Sequence, residues 1–440
     1  MTNVKLKINM LDFLITKTPL VFLTQSFWRD EAFSYLMAHQ SLWQIFVSTA
    51  KDFSPPLYYL ILNLWMNLFG TSEIVLRLMS LLFFYATIYV LDHILVDILK
   101  IGSKWRIAYL LLVAINPFLI YYGYEARMYS MSAFLITLSW YGLLTGKKKL
   151  HIIASILGLY THYFTALALL SQYIYVYLQA KHRSFYKTFA VIGVFFAPWV
   201  LFTLIFHGSS DSSFWILKPT LSLIKLMPGI ILTGFEGPFQ AYSTPLLGLT
   251  ILSYGAVIIA LSSMRHQGDK KKTATYLLLW AFLPALISLV ISLIQPLFLP
   301  RYFIFSAIGM SLLLVYSLEQ LKPPVRTVAF TLIIVFLFHY NAIQIVHRAK
   351  GDVRSLVNNL HKIMSPEDVI YVESDLDFHT VQYYFDPEKV FIYRKTYQEI
   401  PQYVGKVLIP NSHVVSTLPQ FPKKAYIIRS NLTYDIQSMN

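Results

Sequence analysis

Two adjacent carboxylates, Asp30 and Glu31, stand in Phe27-Trp28-Arg29-Asp30-Glu31-Ala32, directly after an apolar run. One of such a pair can act as general base on an acceptor hydroxyl, and neighbouring carboxylates raise one another's pKa, which suits proton transfer. The other use of the pair is to cap the following helix, because acids favour the positive end of its dipole. Asp52 follows in Asp52-Phe53-Ser54-Pro55-Pro56-Leu57-Tyr58-Tyr59, where two prolines fix an extended entry and then start a helix, holding the acid at a rigid corner. Tyr124-Glu125-Ala126-Arg127-Met128-Tyr129 sets an acid beside a base. Arg127 can clamp a phosphate through paired hydrogen bonds with Glu125 orienting it; a mutual salt bridge or a snorkelling arginine is the plainer alternative. His162, among Tyr160, Thr161 and Tyr163, is either a satisfied buried histidine or a contact to phosphate or acceptor. Leu299-Pro300-Arg301-Tyr302 puts a cation at a helix start, the unfavourable end of the dipole unless an anion meets it. No His-x-x-x-His or carboxylate pair marks a metal site; no cofactor is indicated, and a divalent metal is left open. Walker, Rossmann and Ser-His-Asp signatures are absent.

The elements that must carry these residues belong to a membrane. Hydrophobic residues make up 56% of the 440 and charged residues only 13%, which does not describe a soluble surface. The net charge of +14 falls in short clusters between apolar runs and builds no basic domain for nucleic acid. Zero cysteines exclude disulfides and thiolate chemistry. Runs long enough to cross about 30 Å of hydrocarbon lie near 73–99, 105–122, 128–145, 188–207, 244–263, 274–294, 302–320 and 325–345. The stretch 150–180 is best divided at Thr161-His162-Tyr163, and the first run, 6–27, reads as a retained helix. Residues 55–69 would reach only about 22 Å as a helix. If that segment lies on the outer surface, the clusters Lys100/Lys104/Arg106, Lys147–Lys149, Lys181/Arg183/Lys187, Arg265/Lys270–Lys272 and Lys322/Arg326 all fall on the cytoplasmic side, as lysine and arginine should. The expectation is therefore an all-α polytopic protein of about eleven transmembrane helices. Asp30, Glu31, Asp52, Glu125, Arg127, His162, Arg301 and Tyr302 then share the opposite, extracytoplasmic face.

The predicted organisation is a transmembrane region, 1–346, and a small α/β extracytoplasmic tail, 347–440. Within the first, 28–72 is an outer loop with interfacial helices, and 208–243 is an outer gating loop rich in Gly, Ser and Pro. In the tail, 352–364 reads as an amphipathic helix, and 369–373, 390–393 and 425–429 as strands.

In this order, Trp28-Arg29-Asp30-Glu31-Ala32, Asp52 to Tyr59 running on to Glu73 and Arg77, Glu125-Ala126-Arg127-Met128-Tyr129, Thr161-His162-Tyr163 and Arg301-Tyr302 resemble the polytopic GT-C glycosyltransferases. The resemblance is strongest to the bacterial branch near the protein O-mannosyltransferases and the aminoarabinose transferases of lipid A, and it covers about residues 8 to 320. It implies an inverting transfer from a polyprenyl-phosphate sugar donor to a lipid, protein or cell-wall glycan acceptor, at the outer face of the plasma membrane. Asp30 matches the family's first-loop base and Glu31 its neighbour; Arg127 and Arg301 would bind the donor phosphate, with His162 nearby. One departure is Ser54-Pro55-Pro56, where this subgroup commonly shows His-Pro-Pro. The rival class is a transporter or flippase of a lipid-linked glycan, which would be equally basic and aromatic-rich; such proteins bury their ionisable residues at mid-membrane on broken helices.

Overall fold

The computed structural model describes residues 10–179, 184–206, 216 and 218–439. Lys181 and Arg183 of the basic clusters, and 208–215 and 217 of the expected gating loop, lie outside the described residues. The chain forms two compact units, one built from Met1–Phe22, Arg77–Trp199 and Phe214–Arg348, the other from Leu23–Leu76, Val200–Ser213 and Ala349–Asn440.

The first unit is helical. Among the described residues six helices are long and apolar enough to cross a membrane: Glu73–Ile98, Tyr186–Phe206, Phe239–Ser263, Asp269–Ser292, Pro300–Glu319 and Pro323–His347. A seventh candidate is Ser103–Ala114 with Pro117–Gly123, a pair bent by 61°. The bend has a local cause. Asn116 accepts from the N–H groups of Phe118 and Leu119 at 2.9 and 3.2 Å, and Pro117 supplies the first turn without a donor to lose. The Asn116 amide then donates to the Leu232 carbonyl at 2.8 Å and to Ser311 Oγ at 3.2 Å, so the break is tied to two other helices. Tyr129–Leu144 and Thr165–Leu178 are apolar but shorter. The division expected at Thr161-His162-Tyr163 is present between Lys148–Leu159 and Thr165–Leu178, where Thr165 Oγ1 donates to the Gly158 carbonyl at 2.8 Å.

One expectation needs correcting. The described part of the first apolar run is two short helices, Met10–Lys17 and Val21–Thr24, because Pro19 cannot continue the first. The described part of 208–243 is largely helical: Leu221–Lys225 is capped by Thr220, which accepts from the Leu223 N–H at 3.3 Å, and Met227–Thr233 carries Pro228 in its first turn. Gly234 ends that second helix at φ +61°, and the next long helix begins at Phe239.

Helix Ile304–Glu319 is buried along nearly its whole length. Small residues allow this: a Cβ on Gly309 would come within 2.8 Å of the Ala281 backbone nitrogen, so only glycine admits helix Asp269–Ser292 this closely.

The second unit pairs three helices of the early chain, Arg29–Ala38, Leu42–Lys51 and Leu57–Phe69, with a small α/β sheet. Leu57–Phe69 has 13 residues and spans about 20 Å, so it is too short to cross a bilayer. The sheet holds β1 (Val369–Val372), β2 (Val390–Tyr393), β3 (Val414–Val415), β4 (Ala425–Ile428) and β5 (Tyr434–Gln437) in the order β3-β2-β1-β4-β5, parallel except for β5. β1 and β4 are apolar at every position because both faces are covered. Helices Val353–His361 and Phe378–Tyr384 bury Val357, Leu360, Phe378 and Val381 against Ile370, Val372 and Ile392.

Candidate functional site

In the first unit the bend at Asn116 delivers the turn 124–128, and with it Glu125 and Arg127, to the end of helix Pro117–Gly123. Glu125 is buried, and its carbonyl accepts from the Arg127 N–H at 2.7 Å. The Arg127 guanidinium lies 5.9 Å from the centroid of the Tyr129 ring. That ring is also 5.9 Å from His162, and His162 is 5.5 Å from Tyr302, so Arg127, His162 and Tyr302 form a connected set. His162 occupies the turn between two helices. Its Nδ1 accepts from the Phe164 N–H at 3.2 Å, which leaves the proton of the neutral ring on Nε2. Burial, helped by the positive charge of Arg127, pushes the imidazole down to about 3, so it is neutral at physiological pH.

Arg301 sits in the 3-10 turn Pro300–Phe303. Glu236 grips it twice: one carboxylate oxygen is 3.0 Å from the guanidinium, and the other accepts from the Arg301 backbone N–H at 2.9 Å. A third cation belongs to the same neighbourhood. Arg348 stacks on Tyr121 at 4.1 Å and donates to the Gly234 carbonyl at 3.1 Å. Tyr122 lies in the electrostatic field of Glu236, Arg301, Arg348 and Glu125 together. Arg301, Arg348, Glu236 and Glu125 thus gather near Tyr122, and the packing of Tyr122 on Tyr129 at 4.7 Å links them to Arg127 and the neutral His162, an arrangement suited to a phosphate group.

The carboxylates at 30, 31 and 52 belong to the second unit. Asp30 and Glu31 occupy the first turn of Arg29–Ala38, and Asp52 is the C-terminal cap of Leu42–Lys51. Glu31 is completely buried; its Oε2 accepts from the Trp28 N–H at 2.9 Å and from Lys350 Nζ at 2.8 Å. It is therefore both a helix cap and half of a buried ion pair. Asp30 is half-buried. Arg29 Nε donates to Asp377 Oδ1 at 2.9 Å, while burial, opposed by that arginine, pushes Asp377 up from the ordinary carboxylate range. Glu73 takes a hydrogen bond from the Tyr384 hydroxyl at 2.8 Å and pairs with Arg354 at 3.2 Å. Asp52 accepts from Ser54 Oγ at 3.2 Å, in a corner where Phe53 adopts φ +52°. Asn63, on Leu57–Phe69, donates to the Ala38 carbonyl at 2.7 Å and so fixes the far end of the Asp30 helix.

Glu236, Arg348, Lys350 and Asp377 are the charged residues that sequence reasoning missed. Arg348 carried a signal, as a cation directly after the last apolar run; Glu236 stood in a Gly- and Pro-rich stretch with no periodicity. Lys350 and Asp377 take part through pairings across more than 300 residues, which no local pattern encodes. Among the described residues no group of three His, Asp or Glu side chains could hold a metal ion.

No protein-family model matches the sequence, and no curated protein does. Solved structures do match. ArnT from Cupriavidus metallidurans in the apo state superposes with a TM-score of 0.64 at 12% identity, over 94% of this chain and 90% of that one. ArnT from the same organism bound to undecaprenyl phosphate gives 0.61 at 14% identity, over 94% and 91%. At such identity the likeness is one of fold.

Proposed function

Starting from a chain with the GT-C fold of ArnT, we propose that the protein is an inverting glycosyltransferase that moves a sugar from a polyprenyl-phosphate donor to an acceptor hydroxyl at the extracytoplasmic face of the plasma membrane. The observation that carries this reading is that Arg301 and Arg348 gather near Tyr122, whose ring packs 4.7 Å from Tyr129, the ring that Arg127 approaches at 5.9 Å, in a fold whose solved neighbour holds undecaprenyl phosphate. A cavity of about 320 Å³ in the same unit supports it. Thr18, Pro19, Leu20, Phe84, Ile120 and Tyr124 are among its walls, which are mostly apolar and reach the turn that bears Glu125 and Arg127, a fit for part of a lipid tail.

Arg127 and Arg301 hold the donor phosphate, Glu236 aims Arg301, and His162, neutral, offers its Nε2–H as a hydrogen-bond donor. Tyr302 and Glu125 shape the same pocket. Asp30 accepts the proton of the acceptor hydroxyl as that oxygen attacks the anomeric carbon. The bond from that carbon to the phosphate oxygen breaks with its electron pair, and polyprenyl phosphate leaves on the arginines. Phosphate is a good leaving group, so no general acid is required. Asp52 orients the acceptor, and Glu31 fixes the helix that presents Asp30. The segment 208–243 gates access, and 347–440 lies outside the membrane.

Transfer of radiolabel from synthetic polyprenyl-phosphate sugars to membrane material, wild type beside Asp30→Asn, tests the reading. Labelled acceptor with wild type and none with Asp30→Asn supports it. Normal turnover by Asp30→Asn removes the base assignment. Movement of lipid-linked glycan across liposomes without any transfer favours a flippase.

A further inference from the structure

Asp30 has both chain neighbours fastened to the C-terminal segment. Arg29 reaches Asp377 at 2.9 Å, and Glu31 reaches Lys350 at 2.8 Å, with the lysine side chain 4% exposed and the carboxylate fully buried. The strand of chain leading into that helix is laced to the same segment. Gln25 Oε1 accepts from the Lys350 N–H at 3.1 Å, Ser26 Oγ donates to Asp352 at 2.9 Å, and the Phe27 N–H donates to the Tyr384 hydroxyl at 2.8 Å. Arg354 closes the set by donating to the Thr24 carbonyl at 2.7 Å. Residues 23–76 and 349–440 are accordingly one compact unit.

A buried ion pair adds little net stability over an apolar pair of the same volume; what it adds is direction, since each ammonium proton must find an acceptor. Here the direction is specific: one Glu31 oxygen is shared between Lys350 and the Trp28 N–H, so the lysine sets the rotation of the first turn, where Asp30 is the preceding residue. We infer that Lys350 is a positioning residue for the Asp30 carboxylate, and that the tail acts in catalysis by orienting the first turn of helix Arg29–Ala38. This rests on the base assignment proposed above. Loss of about 1 Å in the placement of a reacting group costs on the order of 100-fold in rate.

The test uses the full-length purified protein with a radiolabelled polyprenyl-phosphate sugar. Wild type, Asp30→Asn, Lys350→Met and the double variant Glu31→Gln/Lys350→Met are compared for kcat, donor KM and melting temperature. Lys350→Met strands a buried carboxylate, and the double variant removes that stranded charge. The expected result is a melting temperature that falls in Lys350→Met and recovers in the double variant, while kcat stays roughly 100-fold low in both and donor KM moves little. Should Lys350→Met fail to fold, the double variant alone carries the comparison. Wild-type kcat in either Lys350 variant overturns the inference, since the lysine would then serve only to balance charge. Full activity of Asp30→Asn is a separate failure, that of the base assignment itself.

Discussion

Two charged regions, one in each unit, differ in what surrounds them. Near Tyr122 and Tyr129, Arg127, Arg301 and Arg348 lie among aromatic faces, with Glu125 and Glu236 beside them. In the unit of residues 23–76 and 349–440, charges are matched pair by pair: Glu31 with Lys350, Asp377 with Arg29, Glu73 with Arg354 and Asp375 with Lys395. Arginines gathered on aromatic faces suit an anionic ligand, whereas pairs made across hundreds of residues hold backbone in place. The first unit is accordingly expected to be sensitive in ligand affinity and rate, and the second in geometry and stability.

The sharpest way to break this comparison is to remove one cation from each side. Arg301→Ala should lower transfer by roughly 10²–10³-fold, the loss typical of deleting one donor from a site that stabilises developing charge. Arg354→Ala removes a partly exposed pairing with Glu73 and the hydrogen bond to the Thr24 carbonyl, together about 1–2 kcal/mol of stability, and should cost less than about fivefold in rate. Equal losses measured in the radiolabel assay would erase the distinction between an anion site and a docking pair.

The second test concerns stability against pH. His379 is buried in the tail with its Nε2 3.2 Å from the Gly405 carbonyl, and burial pushes it down to about 4. Its folded pKa lies below the unfolded value of about 6.5, so its contribution is intact above that pH and is lost as pH falls from about 6.5 toward 4. The loss is on the order of 3 kcal/mol. Protection factors of the β1 and β4 amides, corrected for the intrinsic exchange rate at each pH, should fall across that window, and His379→Gln should flatten the response; wild-type protection factors independent of pH would contradict it.

How much of this was legible in the sequence depends on range. The runs near 188–207, 274–294 and 325–345 announce themselves by composition over a single window, and Ile304–Glu319 differs from the helices they form only in being buried by its neighbours. The division at His162 was readable because polar residues interrupt an apolar stretch too long for one helix. Strands β1, β2 and β4 were readable because each is four apolar residues; β3, with two residues, and β5, with Asp435 and Gln437 in an exposed edge, carry no such signal. Asp30, Arg127 and Arg301 stood out as charges beside apolar runs. The partners that close around them did not, because Glu236 and Lys350 act across 65 and 319 residues of chain.

Packing of the tail offers a smaller perturbation. Gly405 has φ +82°, and a Cβ there would approach the Phe33 ring within 2.5 Å and His379 Nε2 within 2.9 Å. Gly405→Ala should destabilise the unit by roughly 1–3 kcal/mol through strain and overpacking. Because Phe33 lies on the Asp30 helix, kcat should fall along with melting temperature, whereas Gly309→Ala, in the other unit, should lower melting temperature with less effect on kcat. A fall in kcat confined to Gly309→Ala would reverse the assignment of geometry to the second unit.

The smallest effect is expected at position 54. The resembling subgroup commonly carries histidine before the two prolines, and here Ser54 donates to Asp52 Oδ2 at 3.2 Å while its own N–H is taken by the Thr49 carbonyl at 2.9 Å. The corner is thus held mainly by backbone, with Phe53 in the left-handed region and Pro55 and Pro56 fixing the entry to helix Leu57–Phe69. Ser54→Ala deletes one side-chain hydrogen bond, about 1 kcal/mol, and leaves that backbone frame intact. Transfer should fall less than about fivefold, with the change appearing in acceptor KM, since Asp52 is the group the hydroxyl steadies. A loss as large as that of Arg301→Ala would instead mark the Ser54 hydroxyl as a direct contact to substrate, and would move Asp52 and its corner from the frame of the second unit into its chemistry.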